Sequence, residues 1–177
     1  GYDITHRNQI LERSKGAEII IANKTILDAD TIAALPDLRL ICVAATGMNN
    51  VDLEAAAAHG VEVKNAVGYS TYSVAETTIG SAIALLREVV YYDEYFKSGR
   101  YAAADYLFNY DRPTSQVRGK KWGIIGLGNI GREVARLAEA FGCEVNYYST
   151  SGVSRGEPYK RLDLNELLSS SDIVSIH

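Results

Sequence analysis

The chain has 177 residues, of which 47% are hydrophobic and 23% are charged, and its formal net charge is −4. This composition is typical of a folded globular protein of one or two domains. The negative charge and the lack of a basic stripe argue against nucleic acid as a partner. Because no apolar run approaches the ~20 residues that span a bilayer, we expect no membrane segment and a cytoplasmic location.

The cysteines and histidines indicate neither disulfide nor metal chemistry. Cys42 and Cys143 each lie in an apolar, strand-like run, far apart in sequence and outside any C-x-x-C pair. We interpret them as reduced core thiols. His6, His59 and His177 have no second histidine at ligand spacing, so no metal site is predicted.

The first part of the chain alternates short apolar runs with helical segments. After a helix at about 8–15, strands are predicted at 18–22, 38–45 and 61–63, the first of them as a buried strand. Asp28 and Asp52 are predicted to cap the helices between these strands. This alternation predicts a βαβαβ unit with a parallel sheet.

A long helix and a tyrosine-rich stretch follow the loop at 65–71. Ser73-Val-Ala-Glu76 has the pattern of a capping box, which predicts a helix from Ser73 to about Lys97. The tyrosine-rich stretch at 91–113 is predicted to be irregular, and its aromatic side chains fit either their own domain or a partner subunit. Because the helix is apolar around much of its girth, we expect a homodimer through residues 73–110.

Three glycines stand where a predicted strand turns into a predicted helix, in K-W-G-I-I-G-L-G-N-I-G at 121–131. This context is the one that a dinucleotide-binding G-x-G-x-x-G requires. Gly126 would allow the tight turn, Gly128 the approach of a pyrophosphate, and Gly131 close packing of helix on strand. A tight turn without a ligand is the alternative.

A second βαβαβ unit is predicted around this turn, with further strands at 143–148 and 173–176 and helices at 130–141 and 164–168. An acidic residue about 20 positions past the glycines usually binds the ribose 2′-hydroxyl of NAD. Ser149, followed by Thr150, stands in that place. Without a carboxylate a 2′-phosphate is not repelled, and these hydroxyls with Arg155 would suit one. NAD and NADP therefore both stay open.

Together these residues resemble the D-isomer-specific 2-hydroxyacid dehydrogenases. A-A-T-G-M-N-N-V-D-L-E-A-A (44–56) is similar to the family's substrate-domain signature, and N-A-V-G-Y-S-T-Y-S-V-A-E (65–76) to its interdomain loop and crossing helix. G-L-G-N-I-G (126–131) with D-I-V-S-I-H (172–177) is similar to its coenzyme domain. Within the family, R-L-I-C-V-A-A-T-G, Y-Y-D-E-Y and F-G-C-E-V-N-Y-Y-S-T-S-G resemble glycerate dehydrogenases, also called hydroxypyruvate reductases.

The resemblance implies an α/β fold with two parallel-sheet βαβ domains. Residues 1–69 would form a flavodoxin-like partial substrate-binding domain, and residues 70–177 the crossing helix and the first half of a Rossmann NAD(P)-binding domain. The backbone N–H groups of Thr46 and Gly47 would cradle the substrate carboxylate as an anion nest, although spacing alone fits a plain turn equally well. The implied cofactor-binding residues are Gly126, Gly128, Asn129, Ile130, Gly131, Ser149 and Thr150.

The implied activity is hydride transfer between NAD(P)H and a small 2-keto acid such as hydroxypyruvate or glyoxylate, with D-glycerate formed from hydroxypyruvate. D-lactate/pyruvate and 3-phosphoglycerate are alternative substrates. A catalytically dead nucleotide-binding or regulatory relative is the alternative function.

The family's catalytic arginine, carboxylate and histidine have no counterpart among these residues, so no catalytic residue is assigned. His177 matches the strand-end residue of the family rather than its acid/base, and Arg87 and Arg132 are interpreted as groups on helix surfaces. Because the chain starts at Gly1 rather than Met and ends within the coenzyme domain, we expect it to be truncated at both ends. We also expect this stretch alone to be inactive.

Overall fold

The structure is a computed structural model that describes residues 1–152 and 156–177. It contains two compact units, Gly1–Tyr69 and Ser70–His177. Each unit is built from one sheet whose strand pairs are all parallel, with helices between the strands. The predicted α/β class with parallel sheets is therefore confirmed.

The first unit has three strands in the order β1-β2-β3. Asp28 accepts a hydrogen bond from the Thr31 N–H at 3.0 Å, and Asp52 accepts one from the Ala55 N–H at 2.9 Å. Both aspartates therefore cap helix N-termini as predicted. The elements are α1 (Ile10–Ser14, after a 3₁₀ turn at Arg7–Gln9), β1 (Ile19–Ala22), α2 (Ala29–Ala33), β2 (Leu40–Val43), α3 (Leu53–Ala58) and β3 (Glu62–Asn65).

The core of the first unit covers one face of its sheet. Ile41 and Val43 of β2 are buried there together with Ile32 of α2. On β1, however, Ile19 is 58% exposed and Ile21 is 77% exposed. The prediction of a buried strand is wrong because β1 lies at the edge of the sheet and its alternate side chains point to the uncovered face.

The second unit has four strands in the order β6-β5-β4-β7. Numbered from β4, this order reads 3-2-1-4, which is the order in which a Rossmann fold begins. Strand β6 has only two residues, too few for a pattern in the sequence to show. The elements are α4 (Thr71–Leu86), α5 (Val89–Lys97), β4 (Lys121–Ile125), α6 (Asn129–Ala140), β5 (Glu144–Tyr148), β6 (Lys160–Arg161), α7 (Leu164–Ser170) and β7 (Ile173–Ile176).

The core of the second unit lies between its sheet and helices α4 and α6. Trp122 and Ile124 of β4 are buried against Val134 of α6. The Trp122 indole N–H donates to the Ser175 hydroxyl at 3.0 Å, which satisfies the polar atom of the largest buried side chain. Ala75, on the face of α4 that enters this core, is fully buried, and its small side chain allows close packing. The site described below therefore has a packed layer beneath it.

The predicted single helix from Ser73 to Lys97 is wrong, because the chain breaks at Glu88. Glu88 adopts the left-handed conformation, with φ of 50° and ψ of 40°. In a continuous helix the Leu86 carbonyl would accept from the N–H four residues on. Here it accepts instead from the Ser115 N–H at 2.8 Å. A segment that returns from later in the chain thus occupies the acceptor that the helix would need.

The predicted capping box at Ser73–Glu76 is also wrong. Helix α4 already begins at Thr71, with Ser70 at the N-cap position and no side-chain cap bond. Ser73 is therefore helical, and its carbonyl accepts from the Thr77 hydroxyl at 2.8 Å. A capping box requires a non-helical first residue. Ser73 and Glu76 therefore have the residue types of the motif but not its backbone conformation.

The tyrosine-rich stretch divides into two parts. Its first part forms α5, where the prediction of an irregular segment is wrong. Tyr95 is buried there, and the Tyr92 hydroxyl donates to the carbonyl of Arg112 at 3.1 Å. The second part lacks regular structure, and Tyr106 and Tyr110 are 79% and 85% exposed. The tyrosines of the helix therefore pack at least partly on their own chain, whereas Phe96 and the aromatic residues of the later segment lie on the surface.

Candidate functional site

Two glycines in the turn between β4 and α6 are required by the packing of the protein itself, whether or not a ligand binds there. Gly126 has φ of +91°, and a Cβ there would overlap the carbonyl oxygen of His177. A Cβ at Gly131 would overlap the carbonyl oxygen of Gly126. Only glycine therefore lets the turn close and lets α6 pack directly on the strand end.

Gly128 differs from these two, because no packing explains it. It has φ of −79°, and a Cβ there would meet no heavy atom within 4 Å. It occupies the N-cap position of α6, and no side chain of the described residues caps that helix. The first intrahelical bond runs from the Arg132 N–H to the Gly128 carbonyl at 3.0 Å. The N–H groups before it have no acceptor within the helix, and the space beside Gly128 that a Cβ would fill is open, which suits a phosphate group.

A pocket of about 190 Å³ lies beside this turn. The glycine turn forms one wall of the pocket, and the end of β5 forms the other. The turn is bonded to the end of β5, because the Gly126 N–H donates to the Tyr148 carbonyl at 3.0 Å. Ser149 is 8% exposed there, and its hydroxyl oxygen lies 3.5 Å from that of Ser151. The lining residues are Gly126, Leu127, Gly128, Arg132, Tyr147, Ser149, Thr150, Ser151, Glu157 and His177.

An ion pair lines the pocket, and the sequence had not indicated it. The Arg132 Nε donates to Glu157 Oε1 at 2.8 Å, and the side chains of this pair are 32% and 14% exposed. Arg132 is therefore part of the pocket wall rather than the surface group that its helical position indicated. Arg155, the cation expected near the ribose loop, lies outside the described residues.

His177 lies at the end of β7, next to the turn. Its N–H donates to the Ile125 carbonyl at 2.9 Å, which sets it between the ends of β4 and β7. Burial lowers the pKa of its imidazole, which favours the neutral ring. Its Nε2 is buried and has no hydrogen-bond partner among the described residues. In open parallel sheets, the crevice where the strand order reverses is where ligands bind.

Of the predicted cofactor residues, four line the pocket and three belong to the helix start. Gly126, Gly128, Ser149 and Thr150 line it. Asn129 is exposed in the first turn of α6, and Ile130 packs half-buried on the core of the second unit. Gly131 is buried in the same turn. The helix start thus lies beside the pocket, as a phosphate-binding turn would.

Thr46 and Gly47, the predicted substrate residues, lie in an exposed turn at the C-terminal end of β2 in the first unit. Asn65 of β3 donates to the Thr46 carbonyl at 2.6 Å, and the Thr46 hydroxyl donates to the Ala66 carbonyl at 3.2 Å. These bonds tie the turn to the end of the neighbouring strand. Among the described residues, no hydrogen bond from the N–H groups of Thr46 or Gly47 to a protein acceptor is present.

The described ranges, 1–152 and 156–177, contain no group of three or more His, Cys, Asp or Glu side chains arranged to hold a metal ion. None of their helices combines the length and the apolar character that crossing a bilayer demands.

The strand order, the glycine turn and the helix N-terminus of the second unit define the beginning of a Rossmann-type α/β protein. Residues 2–170 match the family described as D-isomer specific 2-hydroxyacid dehydrogenase, catalytic domain. The chain belongs to this family.

Similar proteins agree with this assignment. A glycerate dehydrogenase from Methylorubrum extorquens is 37% identical over 96% of this chain and 52% of its own length. A hydroxypyruvate reductase from Blautia hydrogenotrophica is 30% identical over 98% of this chain and 55% of its own. The acyclic imino acid reductase Bsp5, solved in complex with NADPH and D-Arg, superposes with a TM-score of 0.88 at 26% identity and covers 100% of this chain and 55% of that one. The chain spans about half the length of the relatives it matches.

Proposed function

We propose that this chain belongs to a nicotinamide-dependent oxidoreductase that reduces a small 2-keto acid to the D-2-hydroxy acid, with hydroxypyruvate or glyoxylate as the substrate class. The observation that carries the proposal is Gly128, a glycine that no packing requires, at the uncapped N-terminus of α6. Membership of the family and the likeness to a glycerate dehydrogenase and a hydroxypyruvate reductase support it.

In this proposal each unit has one binding task. Residues 70–177 hold the adenosine and pyrophosphate part of the coenzyme, and residues 1–69 bind the substrate through the N–H groups of Thr46 and Gly47. Two adjacent N–H groups aimed at one anion form a nest that suits a carboxylate. When bound, the coenzyme supplies the hydride. The residues described here bind and orient the two molecules, and none of them is assigned to the proton transfer.

Both nicotinamide dinucleotides fit the proposal at Ser149. A carboxylate in its place would accept from the ribose 2′-hydroxyl and repel a 2′-phosphate. A serine does neither strongly, and Bsp5, the similar reductase, was solved with NADPH. The choice between NAD and NADP therefore depends on the other charges of the pocket.

Replacing Ser149 by Asp is expected to weaken binding of NADP about tenfold or more relative to NAD, because two like charges would face each other in a partly desolvated pocket. The affinities of both dinucleotides are measured by titration calorimetry. Ser149→Asn is the matched control, since it has the size of aspartate without the charge, and should leave the ratio near that of the wild type. An equal loss for both nucleotides in Ser149→Asp would show that Ser149 does not face the ribose.

The proposed activity is tested on the intact purified protein. Oxidation of NADH and NADPH is followed with hydroxypyruvate, glyoxylate, pyruvate and 3-phosphohydroxypyruvate, and the highest kcat/KM is expected for one of the first two. Turnover only with pyruvate or with the phosphorylated acid would assign one of the alternative substrates. Tight dinucleotide binding without turnover of any 2-keto acid would indicate a regulatory relative.

We also propose that the protein is a homodimer through residues 73–110. The support is the number of large apolar side chains exposed on this segment, which is higher than expected for single apolar residues scattered over a surface. Sedimentation velocity at micromolar concentration is expected to show a dimer, and Phe108→Ser with Tyr110→Ser is expected to shift it toward monomer. A wild-type monomer under these conditions would contradict the proposal. The exposed residues are Val74, Leu85, Val89, Val90, Phe96, Tyr101, Tyr106, Leu107, Phe108 and Tyr110.

A further inference from the structure

Two opposite charges line the pocket beside the glycine turn in the described part of the chain. Among its described lining residues, Arg132 is the one arginine or lysine and Glu157 is the one carboxylate. They bond to each other at 2.8 Å although they are 25 residues apart in sequence. The pair therefore joins α6 to the segment that leads into β6.

The ion pair is partly buried, and its carboxylate is the more buried partner. The Glu157 side chain is only 14% exposed and that of Arg132 is 32% exposed, so solvent and salt screen the interaction between them less than that of a surface pair. Arg132 also donates to Asn129 Oδ1 at 3.5 Å. These contacts hold the guanidinium at the first turn of α6, where it lines the same pocket as Ser149.

We propose that Glu157 determines the coenzyme selectivity of this pocket by neutralising Arg132. This inference rests on the proposed function, because it requires a dinucleotide in the pocket. A guanidinium is the preferred partner of a phosphate group and binds it through parallel hydrogen bonds. While Glu157 occupies Arg132, that charge is compensated, and an entering 2′-phosphate also meets a carboxylate. The pocket therefore favours a ribose with a free 2′-hydroxyl, despite the serine at position 149.

This assignment gives Glu157 the discriminating role that an acid at the end of β5 usually has. Ser149 is too small and neutral to discriminate, but the carboxylate that the strand end lacks is supplied from the segment before β6. Because it acts through Arg132, Glu157 is a positioning residue, and the affinity ratio of NADP to NAD is the quantity that it controls.

The test measures dissociation constants of NAD and NADP by calorimetry for the intact protein and its variants. Glu157→Gln keeps the shape of the side chain and removes its charge, and should improve the affinity for NADP relative to NAD about tenfold or more, because it frees a charge-assisted phosphate contact. Arg132→Gln should shift the ratio by a similar factor in the opposite direction, since it leaves the carboxylate uncompensated. In the double variant the gain from Glu157→Gln should disappear.

The same helix offers a matched control. Glu133 pairs with Arg136 at 2.6 Å, and its side chain is 15% exposed, but neither residue lines the pocket. Glu133→Gln therefore removes an ion pair of the same helix outside the pocket and should leave the affinity ratio unchanged. Thermal melts of each variant verify that the fold persists.

The outcomes separate this inference from the function on which it rests. If both dinucleotides bind the wild type and the ratio does not move in Glu157→Gln or in Arg132→Gln, the inference is overturned while the proposed function stands. A shift of the same size in Glu133→Gln would also overturn it. If neither dinucleotide binds the wild type, the proposed function is overturned and this inference with it.

Discussion

Replacing Gly131 by alanine is expected to destabilise the second unit by about 3 kcal/mol or more, the upper part of the range for overpacked sites. A Cβ at this position would overlap the Gly126 carbonyl oxygen and would lie 3.3 Å from the Ile124 side chain. The Gly126 carbonyl oxygen belongs to the backbone of the turn. This turn cannot shift to relieve the overlap, because Gly126 itself lies against the His177 carbonyl. Helix α6 would have to move away from β4 and expose buried side chains.

The measurement is the free energy of unfolding from chemical denaturation. Gly80→Ala is the matched control, because Gly80 lies in the middle of α4 and a Cβ there would meet no heavy atom within 4 Å. That substitution should stabilise the protein by up to about 1 kcal/mol through helix propensity. A loss in Gly131→Ala no larger than about 0.5 kcal/mol would show that the helix and the strand do not approach as closely as described.

Local patterns were sufficient to predict the elements whose causes lie within a few residues. The apolar run of β4, the glycines at the turn and the helical stripe of α6 together predicted a strand, a turn and a helix in the right places. The caps at Asp28 and Asp52 were predicted for the same reason, since a cap involves the side chain of one residue and an N–H three positions on.

Features caused by distant residues were missed. The helix break at Glu88 depends on Ser115, whose N–H takes the carbonyl that would have continued the helix. The Arg132–Glu157 pair joins residues that only the fold brings together. In both cases the residues look ordinary in their local sequence. The one signal for the pair was a charged residue directly after the third glycine, where the first turn of a helix borders the phosphate-binding turn.

Gly128 separates the ligand-binding role of the turn from its structural role. Its φ of −79° and ψ of −160° are open to any residue, and a Cβ there contacts nothing. Gly128→Val should therefore change the free energy of unfolding by no more than about 1 kcal/mol, the usual size of an N-cap effect. Dinucleotide binding should weaken more than about a hundredfold, because the side chain fills the space where several charge-assisted bonds to the pyrophosphate would form.

Gly128→Ser sharpens the same prediction. Serine is a favourable N-cap, and its hydroxyl would accept from the uncapped N–H groups of α6, so the free energy of unfolding should rise slightly, by roughly a few tenths of a kcal/mol. The same N–H groups are then lost to the phosphate, and binding of NAD and NADP should fall together. Denaturation and calorimetry on one preparation measure both effects. Unchanged binding in a stabilised Gly128→Ser protein would mean that the N-terminus of α6 does not hold the pyrophosphate, and that this glycine has another role.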